Sequence, residues 1–164
     1  MPSYRTLASR GIFSVMQVAL VAAVLAIVAA IAGPRMSSAA SAPHSASRLL
    51  VGQLRSLRTA IDAYAADHYG RWPGGDVTRI TRQLTEFSNR LGDVSPSRTE
   101  RFRFGPYLKE IPVLPVGTRK GSNTLGLSSQ EPDAAWMYQP QTGQIWANTW
   151  PGESDEMGRD YVTY

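Results

Sequence analysis

The hydrophobic pattern of the chain begins with one long apolar run. Between Arg10 and Arg35 no residue is charged, and Ser14 and Gln17 are the only polar side chains. A helix rises about 1.5 Å per residue, so roughly 20 apolar residues are enough to cross a bilayer core. The pattern therefore predicts a basic leader over residues 1–12 and a transmembrane helix over residues 13–34.

A removable signal peptide is the alternative interpretation of this run. The apolar part of a signal peptide is usually about 7–15 residues long and ends near a small-x-small site. Residues 38–40 and 40–42 both have that form, although Pro43 follows the second. The length of the run favours a retained anchor, and the positive charges of Arg5 and Arg10 before it favour a cytoplasmic N-terminus.

A second pattern predicts an amphipathic helix continuing over residues 35–69. Apolar side chains recur at spacings of three and four residues, which places them on one helix face. These positions are Leu50, Leu54, Leu57, Ile61 and Tyr64. The helix is expected to end near Gly70, because glycine closes helices well and the following "RWPGG" cannot continue one.

Residues 70–164 show shorter patterns, which predict a small globular head. A short helix is expected over "TRITRQLTEFSN", an ordered loop over residues 101–117, and a hairpin from residues 136–138 and 145–147 around Gly143. The predicted fold class is α+β: a long N-terminal helix, membrane-spanning in its first half, followed by a small antiparallel β-sheet head.

Composition limits the chemistry further. The 164 residues contain no cysteine, so disulfides and thiolate metal sites are excluded. The net charge is +4, but the basic residues are scattered, and the sequence predicts no nucleic-acid partner. His44 and His68 have no cluster of metal-ligating residues around them, and no nucleophile or phosphate-loop motif is present. The protein is therefore not expected to be an enzyme.

Several segments together resemble a known family. They are the leader and uncharged run, and in the head "LRTAIDAYAADHYGRWP", "GPYLKEIPVLPVG" and "WMYQPQTGQIWANT". Their order and spacing, from about residue 10 to 149, are similar to type IV pilins and type II secretion pseudopilins, in particular a short form of the major pseudopilins. The resemblance implies a pilin-like fold and a structural subunit of a filament.

The family has Gly before the cleaved bond, Phe as first mature residue, Glu as fifth and Pro as twenty-second. Counting from Phe13 makes Gln17 the fifth residue and Pro34 the twenty-second, with Ile12 before the bond. Counting from Ile12 instead puts Gly11 before the bond and makes Met16 the fifth residue. The resemblance thus implies processing by a prepilin peptidase at Gly11, Ile12 and Phe13, with methylation of the new N-terminus.

The residue in place of the family glutamate is informative. In the family that glutamate is thought to pair with the free amine of a neighbouring subunit, whereas Gln17 carries no charge and offers only neutral hydrogen bonds. We therefore expect a minor or tip subunit. The alternative is that Gln17 faces other helices and has no specific task. Gln17 and Pro34 are the predicted assembly residues, with a slim, Ala-rich helix surface between them.

The resemblance also implies partners, location and a metal. The partners would be other pilin or pseudopilin subunits, the prepilin peptidase and an inner-membrane assembly platform, with the head in the periplasm. Major pseudopilins carry calcium near the C-terminus, and Glu153, Asp155 and Asp160 are the candidate ligands here. A solvated acidic loop is the alternative, and no other cofactor is expected.

Two further function classes remain open from the sequence. One is a single-pass anchored envelope protein whose head binds a partner without polymerising, an interpretation that the irregular Ile12 and Gln17 allow. The other is a secreted enzyme behind a signal peptide, which lacks support because no nucleophile and base are paired in the sequence.

Overall fold

The structure, a computed structural model, describes residues 42–127, 131 and 133–164. The leader, the apolar run and their predicted roles lie outside the described residues. Within the described ranges no helix is both long and apolar enough to cross a membrane. These residues belong to one compact unit, Ala40–Tyr164, which is α+β with two small sheets, as the sequence predicts in outline.

The described residues of this unit form two α-helices, five short strands and a final turn of 3₁₀-helix. In chain order they are α1 (Ala42–Asp67), α2 (Val77–Thr85), β1 (Phe87–Ser88), β2 (Val94–Ser95), β3 (Leu125–Gly126), β4 (Trp136–Gln139), β5 (Gln144–Ala147) and the 3₁₀-helix (Tyr161–Thr163).

The predicted apolar stripe of α1 forms the centre of the core. All five stripe residues are at most 2% exposed, and they pack with the central strand residues Trp136 and Tyr138. Burying a large apolar side chain contributes roughly 1.5–3 kcal/mol. The stripe is therefore the main attachment of the head to its helix.

The end of α1 differs in detail from the expectation. The helix ends at Asp67, and the Gly70 amide donates to the Ala65 carbonyl at 2.8 Å, which closes the last turn. Tyr69 and Gly70 are both left-handed at this closure, with φ of 59° and 75°. The sequence therefore locates the helix end and its closing glycine, but it does not predict that Tyr69 is left-handed as well.

The second helix is shorter than the segment from which it was predicted. Asp76 caps α2 by accepting from the Arg79 amide at 2.7 Å, and Ile80 and Leu84 face the core. Glu86 is extended, and Phe87 lies in β1 instead of on the helix. The ordered loop predicted at 101–117 contains no helix or named strand, and Phe104 forms a single bridge with Ser88.

The larger sheet has the order β3-β4-β5 and is mixed. The predicted hairpin is confirmed, since β4 and β5 pair antiparallel with Tyr138 opposite Ile145. The prediction of an antiparallel sheet is wrong for β3, which pairs parallel with β4. Gly126 allows this arrangement, because a Cβ there would meet the Ala134 Cβ at 2.6 Å. Side-chain alternation identifies strands but does not encode the direction in which they pair.

Candidate functional site

In the described unit, two clusters of hydrogen-bonded polar side chains lie against α1. The helix-end cluster is formed by Tyr64, Asp67, His68, Ser88 and Tyr107. The C-terminal cluster is formed by Asp155, Arg159 and Tyr164, which line a surface groove together with Ser47 and Val51 from the first half of α1.

His68 is the centre of the helix-end cluster. Its ring is 2% exposed and stacks on the Tyr64 ring, with centroids 3.7 Å apart. Its Nδ1 donates to the Tyr64 carbonyl at 2.6 Å, and its Nε2 lies 3.1 Å from the Ser88 hydroxyl. The Tyr107 hydroxyl donates to Asp67 at 2.9 Å. The cluster therefore joins the end of α1 to β1 and to the ordered loop.

The Ser88–His68 contact has the spacing of a nucleophile and a base, but both side chains are buried. Ser88 is 0% exposed, so a substrate cannot reach its hydroxyl in this arrangement. Burial raises the pKa of Tyr64 to about 12, and burial together with Asp67 raises the pKa of Tyr107. The arrangement is that of a buried structural contact between the end of α1, β1 and the ordered loop. Sequence reasoning placed His68 near a helix end but missed its partner, because nothing local points to Ser88.

The C-terminal cluster is built around a buried carboxylate. Asp155 accepts from the amides of Met157 and Arg159 at 2.8 and 2.9 Å, from the Arg159 Nε at 3.0 Å, and from the Tyr164 hydroxyl. The hydrogen bond from Tyr164, with those from Arg159 and Met157, holds the pKa of Asp155 well below its ordinary value. Arg58 of α1 donates to the Tyr164 carbonyl at 2.9 Å, which attaches the cluster to the helix.

Two of the three predicted calcium ligands, Glu153 and Asp155, have separate partners. Glu153 accepts from the Trp150 amide at 2.8 Å and from the Thr118 amide at 2.6 Å, while Asp155 is occupied as described. Burial alone would raise the pKa of Glu153, but the hydrogen bond from the Thr118 hydroxyl and those from the two amides lower it. Across the described residues no group of three or more His, Asp or Glu could hold a metal ion. The structure thus does not bring Glu153, Asp155 and Asp160 together as a metal centre.

The predicted processing residues Gly11, Ile12 and Phe13 and the assembly residues Gln17 and Pro34 lie outside the described ranges. What the structure describes is the face of α1 opposite the buried stripe. That face carries exposed small residues at spacings of four, three and four, beside the 56% exposed Leu49. They are Gly52, Ser56, Thr59 and Ala63. Small side chains let another helix backbone approach closely.

Comparison of the chain with protein-family models, curated proteins and solved structures finds no match.

Proposed function

We propose that this protein is a pseudopilin-like structural subunit of a type II secretion or type IV pilus-like filament. One observation supports it most. One face of α1 contributes buried residues to the core of the head, and the opposite face carries small, exposed residues. In the sequence residues 35–41 separate this helix from the uncharged run at 13–34. A subunit of a filament with a helical centre needs these three properties.

The two faces of α1 have different roles in such a subunit. Burial of Leu50, Leu54 and Ile61 fixes the head to the helix without using the opposite side. The side chains on the face with Gly52 are small, and a Cβ placed on Gly52 meets no atom within 4 Å. Copies or related subunits could then pack helix to helix, and a head-to-tail contact that does not close would extend as a helical fibre.

The remaining parts of the proposal concern the N-terminal segment. The protein would be held in the inner membrane by residues 13–34, with a cytoplasmic N-terminus and a periplasmic head. Its partners would be other pilin or pseudopilin subunits, a prepilin peptidase and an assembly platform. The uncharged Gln17 makes it a minor or tip subunit in this proposal, because no incoming amine is neutralised there. Its work would be mechanical, without a reaction of its own.

The first experiment is to determine the mature N-terminus by mass spectrometry of protein isolated from its native membrane. A methylated N-terminus at Phe13 or Ile12 is the expected result. It would also identify Gln17 or Met16 as the residue in place of the family glutamate. An intact Met1, in cells that process their other pilins, would contradict the proposal and favour an anchored protein that does not polymerise.

A second experiment tests the exposed face of α1. The chain has no cysteine, so Ser56→Cys introduces one thiol on that face, and Ser97→Cys introduces one in an exposed loop as the matched control. In native membranes that contain single-cysteine variants of the other filament subunits, Ser56→Cys should form intersubunit disulfides and Ser97→Cys should not. Equal yields for the two variants would argue against packing through this face.

A further inference from the structure

Five side chains at the C-terminal end of α1 form a continuous stack of alternating arginines and aromatic rings. We call this stack the arginine ladder; in order, it contains Arg71, Tyr69, Arg90, Phe104 and Arg103. The distances from each guanidinium carbon to the neighbouring ring centroid are 5.9, 5.0, 5.1 and 5.4 Å along that order. Arg90 therefore lies within cation–π distance of both rings.

The ladder is anchored on the core but open to solvent. Phe104 packs edge to face against the buried His68, with ring centroids 5.7 Å apart. Tyr69 is 66% exposed, and all three arginines are exposed. Each guanidinium group therefore lies beside a ring and remains accessible to a partner.

The ladder concentrates positive charge without compensation. None of the ion pairs among the described residues involves Arg71, Arg90 or Arg103. A guanidinium held over a ring by its face still has N–H groups at its edge, and these match the two oxygens of a carboxylate. Three such groups in one stack repel one another, and an anionic partner would relieve that repulsion.

The backbone at the ladder is also informative. Tyr69 adopts φ of 59°, a left-handed conformation that is uncommon for residues other than glycine, asparagine and aspartate, although Gly70 follows it directly. Glycine at 69 would end the helix with less strain, so helix closure alone does not account for a tyrosine there. What the tyrosine adds is an exposed ring between Arg71 and Arg90.

The composition of the surface favours a polypeptide partner. Leu91, the residue after Arg90, is 69% exposed, and Tyr69 presents a second large apolar surface. Tyrosine and arginine, with tryptophan, are enriched among the residues that contribute most to protein–protein binding. An exposed leucine has no obvious counterpart in a nucleic acid or an acidic glycan, whereas an acidic polypeptide can offer both carboxylates and apolar side chains.

We propose that the arginine ladder is a docking surface for an acidic segment of another protein. Carboxylates of that segment bind the guanidinium edges of Arg71, Arg90 and Arg103, and its apolar side chains contact Tyr69 and Leu91. The 26 residues of α1 span about 39 Å, so this surface is remote from the residue at which α1 begins. The inference does not depend on filament assembly, since no ladder residue belongs to the small-residue face of α1.

The test is a binding measurement on the full-length chain in a non-ionic detergent. The probe is a short fluorescein-labelled peptide of alternating glutamate and leucine, followed by fluorescence anisotropy, with the glutamine-for-glutamate peptide as its control. The triple variant Arg71→Gln/Arg90→Gln/Arg103→Gln should weaken binding about tenfold or more. Arg55→Gln, a single exposed arginine on α1, should change it less than about twofold.

Two further variants separate binding from folding. Tyr69→Gly removes the ring and relieves the left-handed strain, so binding should weaken while the melting temperature stays equal or rises. Arg90→Lys keeps the charge but loses the planar fork, and it should also weaken binding.

Several outcomes would overturn the proposal. Absence of binding to the acidic peptide would do so, as would an unchanged affinity in the triple variant. Tighter binding of a single-stranded oligothymidylate of the same net charge, lost in the triple variant, would assign the ladder to a nucleic acid instead. A loss in Arg55→Gln equal to one third of the triple effect would indicate general attraction by net charge.

Discussion

The helix-end cluster and the C-terminal cluster both attach the chain to α1, but they do so by different physics. In the first, His68 is held by stacking on Tyr64 and by one hydrogen bond at each ring nitrogen. In the second, the carboxylate of Asp155 collects four donors, two of them from Arg159. The first depends mainly on packing and the second mainly on charge-assisted hydrogen bonds.

The two attachments should therefore be weakened by different changes. A cluster held by packing loses most when a side chain is removed, because a cavity remains in a core that cannot fully collapse. A cluster held by an ionised carboxylate loses most when that carboxylate is neutralised, by mutation or by acid. The two ends of the attachment can therefore be weakened separately.

The largest expected effect is at the packed cluster. His68→Ala removes the ring that contacts Tyr64 and Phe104 and leaves the Ser88 hydroxyl without its partner. We expect the free energy of unfolding to fall by about 3 kcal/mol. Urea unfolding of the full-length chain in detergent, followed by tryptophan fluorescence, measures it. Thr59→Ala on the exposed face of α1 is the control and should stay within about 0.5 kcal/mol.

The next effect is at the ionic cluster, and it depends on pH. In the folded protein the pKa of Asp155 is lower than the value of about 3.9 in an unfolded chain. The ionised carboxylate therefore stabilises the fold fully above the unfolded pKa of about 3.9, and this contribution is lost as the pH falls from there through the folded pKa. Asp155→Asn should lower the melting temperature at neutral pH by less than His68→Ala does. The two proteins should converge in acid, and a constant difference down to pH 2 would contradict the assignment.

A smaller effect is expected from one hydroxyl. Ser88→Ala leaves the packing of His68 in place and removes only the group 3.1 Å from its Nε2. The free energy of unfolding should fall by about 1 kcal/mol, since one buried ring nitrogen loses its partner. The same urea titration measures the change. A loss as large as that of His68→Ala would mean that hydrogen bonding, and not packing, holds the helix-end cluster.

The last effect needs no mutation and leaves stability at neutral pH unchanged. Burial raises the pKa of Tyr64 to about 12 and also raises those of Tyr107 and Tyr138. Their protonated forms stabilise the fold below about pH 10, and this contribution is lost as pH rises through the folded pKa values. In a spectrophotometric titration these three tyrosines should ionise only together with alkaline unfolding. Normal ionisation of all seven tyrosines before unfolding would show that the helix-end cluster is solvent-accessible.

The sequence predicts the parts of this fold that local patterns encode. The α1 stripe follows from a spacing of three and four residues, and the β4–β5 hairpin follows from turn residues around Gly143. The parallel pairing of β3 with β4 has no local signature, and neither has the close approach of Ala134 to Gly126 that accompanies it. Strand direction is therefore the part of the sheet that periodicity does not determine.

The candidate site was less predictable than the fold. His68 and Ser88 are twenty residues apart, and only the folded chain brings them into contact. The acidic C-terminal segment was identified by composition, but composition does not say which donors each carboxylate meets. Asp155 accepts hydrogen bonds from Arg159 and Tyr164 of the same segment. A carboxylate that the sequence predicts as a metal ligand is therefore bound by neighbouring protein groups.

The distribution of the α1 stripe has a mechanical consequence. The buried side chains from Leu50 to Tyr64 are spread over about four helical turns along a single axis. A pull along that axis, with the head held back, would load all of these contacts in parallel, as in shear. A pull across the axis at one end would load them one after another, as in peeling. The unit should therefore resist axial tension far better than transverse tension of the same size.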